Sequence, residues 1–424
     1  MLSNALEKLV QIWKIKDLRN KLFFILLMLF VFRLAANIPI PGVNSEVLKN
    51  LFQSNQMLSL LNLFSGGGMS RFSIVMMGVS PYITSSIIFQ LLSMIIPSLE
   101  EMQKDESGRQ KINMWTRWFT FPLSMLQSYG MITILKKTAP NIIDNVDSFH
   151  LFSVILIVSA GTIFLMWIGE LITEKKFGNG ISLLIFAGIV SGVPQAIQQM
   201  FLTFDKSNIL TLIFFVGVAI VTTIGVVIIS EGQRNIPIQY ARQVKGRDVV
   251  GNSHLPLRVN IAGVMPIIFA ISIVMFPPML AQFFVNAKTA WLAIFASKII
   301  ALFNNQIFYA FIYFLLVFGF TFFYTEIIFK PDQIAENLQR QGGFIPGIRP
   351  GQATVQYLSN TIYKIVLAGA LFLGLIAILP LIIKYFTGMQ FLAIGGTSLL
   401  IVVSVVIETV KQIESQLTMR NYEK

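Results

Sequence analysis

The sequence predicts an all-α polytopic membrane protein with ten transmembrane helices, and three observations carry that prediction. The chain is 55% hydrophobic and only 12% charged, against about 25% charged in ordinary soluble domains, and its mean hydropathy is +0.72. Apolar runs approaching the roughly 20 helical residues that cross the hydrocarbon recur along its whole length. The basic residues lie almost entirely between those runs.

In chain order the predicted spans fall near 22–40, 73–96, 116–135, 151–172, 181–201, 209–230, 259–284, 306–329, 359–383 and 391–410. An even number places both termini on one side. Lys plus Arg number 22 on the face that holds the termini and the loops at 97–117, 173–180, 231–258 and 330–358, and 8 on the opposite face. By the positive-inside rule the termini are therefore cytoplasmic. The first 21 residues mix five basic side chains with Glu7 and Asp17 and contain no small-residue cleavage site, so no removable signal peptide is expected. The 424 residues read as one bundle in lipid, not as two or three soluble domains.

The second span is irregular. A short apolar piece, Met57 to Phe64, precedes Ser65-Gly66-Gly67-Gly68, and a long apolar run, Phe72 to Ile96, follows. Eight residues cannot cross the hydrocarbon. Backbone that bends at membrane depth is tolerated only where protein or water surrounds it, which predicts a water-accessible cavity holding this piece.

The loops at 231–258 and 330–358 are long, basic and rich in Pro and Gly. They read either as solvated connectors or as a docking platform for a soluble partner. Arg349, set between Gly347-Ile348 and Pro350-Gly351, is the sharpest feature. Neighbouring proline restricts the backbone, so the guanidinium is presented to a partner's carboxylates or phosphates.

Catalytic chemistry is not indicated. Zero cysteines remove disulfides, thiolate metal sites and thiol catalysis. The two histidines, His150 and His254, read as loop residues on opposite faces, outside any metal or nucleophile motif. Gly66-Gly67-Gly68 continues as Met69-Ser70-Arg71, without the GK[ST] ending of a phosphate loop. Glu170, Glu326 and Glu408 fall near the cytoplasmic ends of spans, leaving no mid-membrane carboxylate for ion coupling. The rival class is a ten-helix secondary transporter of a small solute, which calls for such a group. An intramembrane enzyme lacks a nucleophile and base. No cofactor and no metal is expected.

The residues also resemble a known family. Arg33 with Ile38-Pro39-Ile40-Pro41-Gly42, Asn62-Leu63-Phe64-Ser65-Gly66-Gly67, Pro81-Tyr82-Ile83 leading to Gln90-Leu91-Leu92, and Glu106-Ser107-Gly108-Arg109 come first. Gly178-Asn179-Gly180-Ile181-Ser182, Gly232-Gln233-Arg234 with Ile236-Pro237 and Gln239-Tyr240-Ala241, and His254-Leu255-Pro256-Leu257 follow. Asn260-Ile261-Ala262-Gly263-Val264-Met265-Pro266, Phe344 to Gly351 and Gly395-Gly396-Thr397-Ser398-Leu399-Leu400-Ile401 complete the series. In this order, almost end to end, they resemble the bacterial SecY family (SecY/Sec61 alpha) of protein-conducting channels.

That resemblance implies a clamshell of two pseudo-symmetric five-helix halves, 1–201 and 206–424, around a central hourglass pore. It implies a plug at 57–71, carried by Leu60, Asn62, Phe64, Gly66, Gly67, Gly68 and Arg71, with the glycines as its flexible end. It implies a pore ring of Val79, Ile83, Ile181, Ile185, Ile268 and Ile401, with valine at the first position. A lateral gate between spans two and three and spans seven and eight would carry Ser86, Gln90 and Asn260. Arg234, Arg242, Arg247 and Arg349 would dock the SecA ATPase or the ribosome, the only nucleic-acid contact being ribosomal RNA. The implied partners are SecE, SecG, signal peptides and preproteins, and the implied location is the bacterial plasma (inner) membrane.

Overall fold

The computed structural model describes residues 15–41, 43, 48, 62, 65–138, 148–202, 209–240, 253–285, 289–387 and 395–422. Within them the helices are α1 (Lys16–Ala36), α2 (Ser80–Ile95), α3 (Pro97–Lys104), α4 (Glu106–Thr138), α5 (Ser148–Glu174), α6 (Gly180–Leu202) and α7 (Ile209–Glu231). After strands β1 (Gln233–Tyr240) and β2 (Ser253–Arg258) come α8 (Met265–Phe284), α9 (Ala290–Asn304), α10 (Gln306–Ile328) and α11 (Pro331–Arg340). Strand β3 (Gly343–Phe344), α12 (Gln352–Thr387) and α13 (Gly395–Tyr422) end the fold. Each of the ten predicted spans falls on a helix. Among the described residues four helices are long and apolar enough to cross a membrane outright, and α2 with α3 makes a fifth candidate broken by a 106° bend.

The helices bury one stripe and leave an apolar stripe outside, as a bundle in lipid requires. In α1, Leu18, Ile25 and Phe32, seven residues apart, are buried, whereas Phe23, Leu27 and Phe30 are exposed. Small residues let backbones approach. A Cβ at Gly180 would lie 1.9 Å from the Gly169 carbonyl oxygen, and one at Gly161 would lie 2.0 Å from the Ile74 carbonyl oxygen. The Gly178-Asn179-Gly180 turn works as expected: Gly178 has φ +136°, and Asn179 Oδ1 accepts from the amides of Ile181 (3.0 Å) and Ser182 (3.3 Å), capping α6.

Four features differ from the sequence reading. Span two is not helical from residue 73. Its helix starts at Ser80 with Pro81 in the first turn, because Gly66, Gly67, Phe72 and Gly78 take positive φ and keep 65–79 in consecutive turns. Span seven likewise starts at Met265, with Pro266 in its first turn, so 259–264 are not helix. The region 285–305, expected to be a loop, contains α9. The two basic loops are not irregular connectors either. They form one antiparallel sheet in the order β2-β1-β3, with Ile236 facing Leu255 and Gln239 facing Phe344. In β1, Ile236 and Ile238 are buried while Asn235, Pro237 and Gln239 are exposed, the period of two that a half-covered strand needs. His254 therefore lies in a strand and His150 in the first turn of α5, not in loops.

Three apolar cores result. The largest joins α1, α2, α5, α6, α8, α10 and α13 through the middle of the bundle. A second packs Met69, Phe72, Met76 and Met77 of the turn segment on Ile132, Leu135 and Val158. A third lies under the sheet, where Ile236, Leu257 and Ile345 meet Leu358 and Ile362 of α12.

Candidate functional site

The turn segment 65–79 packs among the helices and is tied down at two points. Arg33 of α1 donates from Nη1 to the Gly66 carbonyl. Midway along, Pro39 and Ser73 form an antiparallel bridge, extended by Ile40 N–H to the Phe72 carbonyl (2.9 Å) and Ile74 N–H to the Ile38 carbonyl (3.1 Å). Between these ties the segment bonds to itself. Asn62 Oδ1 accepts from the Ser70 amide at 2.8 Å, the Asn62 carbonyl accepts from the Gly67 amide at 2.8 Å, and Ser65 Oγ accepts from the Met69 amide at 3.0 Å.

The glycines expected to be flexible serve shape. Gly66 has φ +67°, and a Cβ there would lie 2.8 Å from the Phe32 ring and 3.2 Å from the Gly188 Cα of α6. Gly67 also takes positive φ, and Gly68 is hemmed in by Ser73 Oγ and the Ser65 carbonyl. Arg71 is half-buried beside Phe72, a bulky residue at φ +49°. Leu60 and Phe64 lie outside the described residues.

Next to the segment the expected ring positions lie in an apolar cluster. Val79, Ile83, Ile185, Ile268 and Ile401 are buried in the central core, and Ile181 packs against it. Val79, Ile83 and Ile268 line, with Met69 and Met77, a cavity of about 20 Å³, room for about one water. The segment's methionines thus sit directly on three of the expected ring positions. Ile181 is engaged elsewhere, since its Cδ1 would be 2.5 Å from a Cβ at Gly169, and so rests in the notch of α5. Ile189, not picked out from the sequence, is buried one turn beyond Ile185, and its neighbour Gly188 meets Gly66. The i, i+4 spacing from Ile185 was the available signal.

Helices α2 and α4 pack against α8. Gln90 Nε2 donates to Ser86 Oγ (3.1 Å) on its own helix, so this pair does not bridge to α8. Asn260 is buried just before α8, and its Oδ1 has no hydrogen-bond partner among the described residues. The actual crossing contacts are apolar and were not read from the sequence. Tyr129 stacks on Phe283 with ring centroids 5.5 Å apart, and Gly130 lets Met279 and Phe283 approach. A buried Gln127–Thr84 contact of 3.3 Å joins α4 to α2.

On the three-stranded sheet Arg234 is exposed on β1 opposite Leu257. Arg349 is exposed at the tip of a built turn. Gly347 and Gly351 have φ +80° and +98°, Thr354 Oγ1 donates to the Arg349 carbonyl (3.0 Å), and Ile345 and Ile348 anchor the turn in the core below. Arg242 and Arg247 lie outside the described residues.

Comparison with known proteins identifies the family and the fold. The SecY family model matches residues 73–410. The protein translocase subunit SecY of Halalkalibacterium halodurans is 44% identical, with 97% of each chain covered. Among solved structures, one that describes the plug domain of SecY as stabilising the closed state of the translocation channel superposes with a TM-score of 0.62 at 18% identity, covering 93% of this chain and 91% of that one. Sec61 in the canine ribosome-channel complex superposes at 0.61 and 16% identity, again over 93% and 91%. By its sequence and its fold alike, the chain belongs to the SecY family.

Proposed function

We infer that this chain is the pore subunit of a protein-conducting channel that passes unfolded preproteins across the membrane and releases apolar segments sideways into lipid. One observation carries this reading: the segment 65–79, gripped by Arg33, sits on an apolar constriction with room for about one water. A narrow apolar ring dewets and stops ions. It offers no fixed hydrogen bonds, so an extended chain of any sequence can slide through once the segment moves.

The finer assignments follow from the same reading. Residues 57–71 act as plug, and Val79, Ile83, Ile185, Ile268 and Ile401, with Ile181 at the rim, act as ring. The halves 1–201 and 206–424 part along the α2/α4–α8 seam, where Ser86, Gln90 and Asn260 set how easily a signal helix enters. The crossing contacts are apolar, such as Tyr129 on Phe283, so an apolar signal helix can replace them with like contacts. Arg234 of β1 and Arg349 at its turn tip, with Arg242 and Arg247 from the loop after β1, receive the SecA motor or the ribosome, which supply the driving energy. SecE and SecG are the small membrane partners. The protein sits in the bacterial plasma membrane with both termini in the cytoplasm, as the basic-residue bias supports.

The chain has no native cysteine, which makes the test clean. A single cysteine at Ile83 should crosslink to a translocating preprotein arrested in the channel, while one at the exposed Phe149 should not. Crosslinking at Phe149 alone would overturn the pore assignment.

A further inference from the structure

Helix α9 connects α8 to α10 at the end of the bundle opposite the β-sheet, since α8 runs from β2 to α9 and α10 runs back toward β3. Its 15 residues are fewer than the roughly 20 that cross the hydrocarbon, yet it is mostly apolar and mostly exposed or half-buried. Only Ala296 is buried, turned toward the bundle. Trp291, Ile294, Phe295 and Leu302 are 49–68% exposed, and at 100° per residue they fall in one stripe opposite Ala296. The flank between carries small or polar residues, among them Ser297 and Asn304.

We propose that α9 lies flat in the lipid leaflet opposite the basic platform, with this stripe in the headgroup–acyl boundary and Lys298 on anionic lipid phosphate. Three features select lipid over a protein partner. The helix continues into α10 after the single residue Asn305, so one end is fixed at membrane depth. Lys298 sits within the bulky stripe and is exposed. A protein groove would strip that ammonium of water, whereas in the boundary its stem lies among acyl chains and its charge reaches the phosphates. The stretch 285–308 holds Lys288 and Lys298 and no acidic residue, the charge balance that anionic headgroups attract. A tryptophan at the end of the stripe is the usual interfacial anchor.

The test uses the full chain reconstituted in vesicles of phosphatidylcholine, with or without phosphatidylglycerol. Single cysteines at Ile294 and Ser297 carry an environment-sensitive dye, read with nitroxide-labelled lipid and with aqueous iodide as quenchers. Lipid nitroxide should quench the label at 294 and iodide the label at 297. In the phosphatidylglycerol vesicles, Lys298→Gln should lower the inserted-to-free ratio of α9 by roughly fivefold, with little change in phosphatidylcholine alone. Equal iodide quenching at both positions would overturn the proposal, as water would then cover the stripe. Protection of position 294 from both quenchers would also overturn it, in favour of a protein cover.

Discussion

The side chain of Arg33 and the backbone of Gly66 are joined: a guanidinium on the first span holds a carbonyl in the segment that closes the bundle. A hydrogen bond to a charged group is worth about 1.5–3 kcal/mol, a factor of roughly ten to a hundred in the closed-to-open ratio. Arg33→Leu should therefore raise resting ion conductance in planar bilayers by that order, with Arg33→Lys between the two. Unchanged conductance in the leucine variant would show that the tie does not hold the seal.

Gly161 tests the seat of the same segment. With Ile74 carbonyl oxygen 2.0 Å from its would-be Cβ, Gly161→Ala must push the turn segment off α5, at about 1–3 kcal/mol or more. The melting temperature in detergent should fall. Gly217→Ala, where no atom lies within 4 Å, should leave it level or raise it, since alanine favours helix by about 0.5–1 kcal/mol over glycine.

Asn260→Leu removes a buried acceptor that lacks a partner among the described residues. An orphaned polar group costs about 1–3 kcal/mol, so the substitution stabilises the closed seam. Export of substrates with weakly apolar signals should drop while strong signals pass as before. Equal export of both classes would detach Asn260 from gating.

The platform makes a paired prediction. Arg349→Glu should abolish partner-driven export with no change in melting temperature, the residue being exposed. Ile345→Ala leaves the arginine in place but removes its anchor, 3% exposed, at a cost of about 2–5 kcal/mol. Export should fall there too, with faster proteolysis near residue 349. Normal export by Arg349→Glu would refute the docking role.

The helices were legible because lipid imposes a single rule, long apolar runs with charges between, and every predicted span meets one. What the sequence hid depends on backbone and on distant partners. The Phe72–Gly78 stretch is apolar like a span, yet the positive φ of Phe72 and Gly78 and Pro81 delay the helix to Ser80. Period-two burial in Ile236 and Ile238 is only two side chains long, too short to stand out, and β3 lies over a hundred residues away. Helix α9 is too short for a span and too apolar for an ordinary loop. At the site, Val79, Ile83 and Ile268 share the lining of one small cavity. Ile181 and the Ser86–Gln90 pair, though, find neighbours on adjacent or own helices that only packing reveals.

The Pro39–Ser73 bridge fixes where the closing segment stays attached when it moves. From Ser73 back to Gly66 the chain has seven residues, and extended backbone covers about 3.3–3.6 Å per residue, so with the Arg33 tie released Gly66 can lie up to about 25 Å from the bridge. That is close to the roughly 30 Å thickness of the hydrocarbon. The stopper is thus on a leash long enough to leave the lumen and short enough to bring it home, so resealing after each passenger is a local search with no need for diffusion.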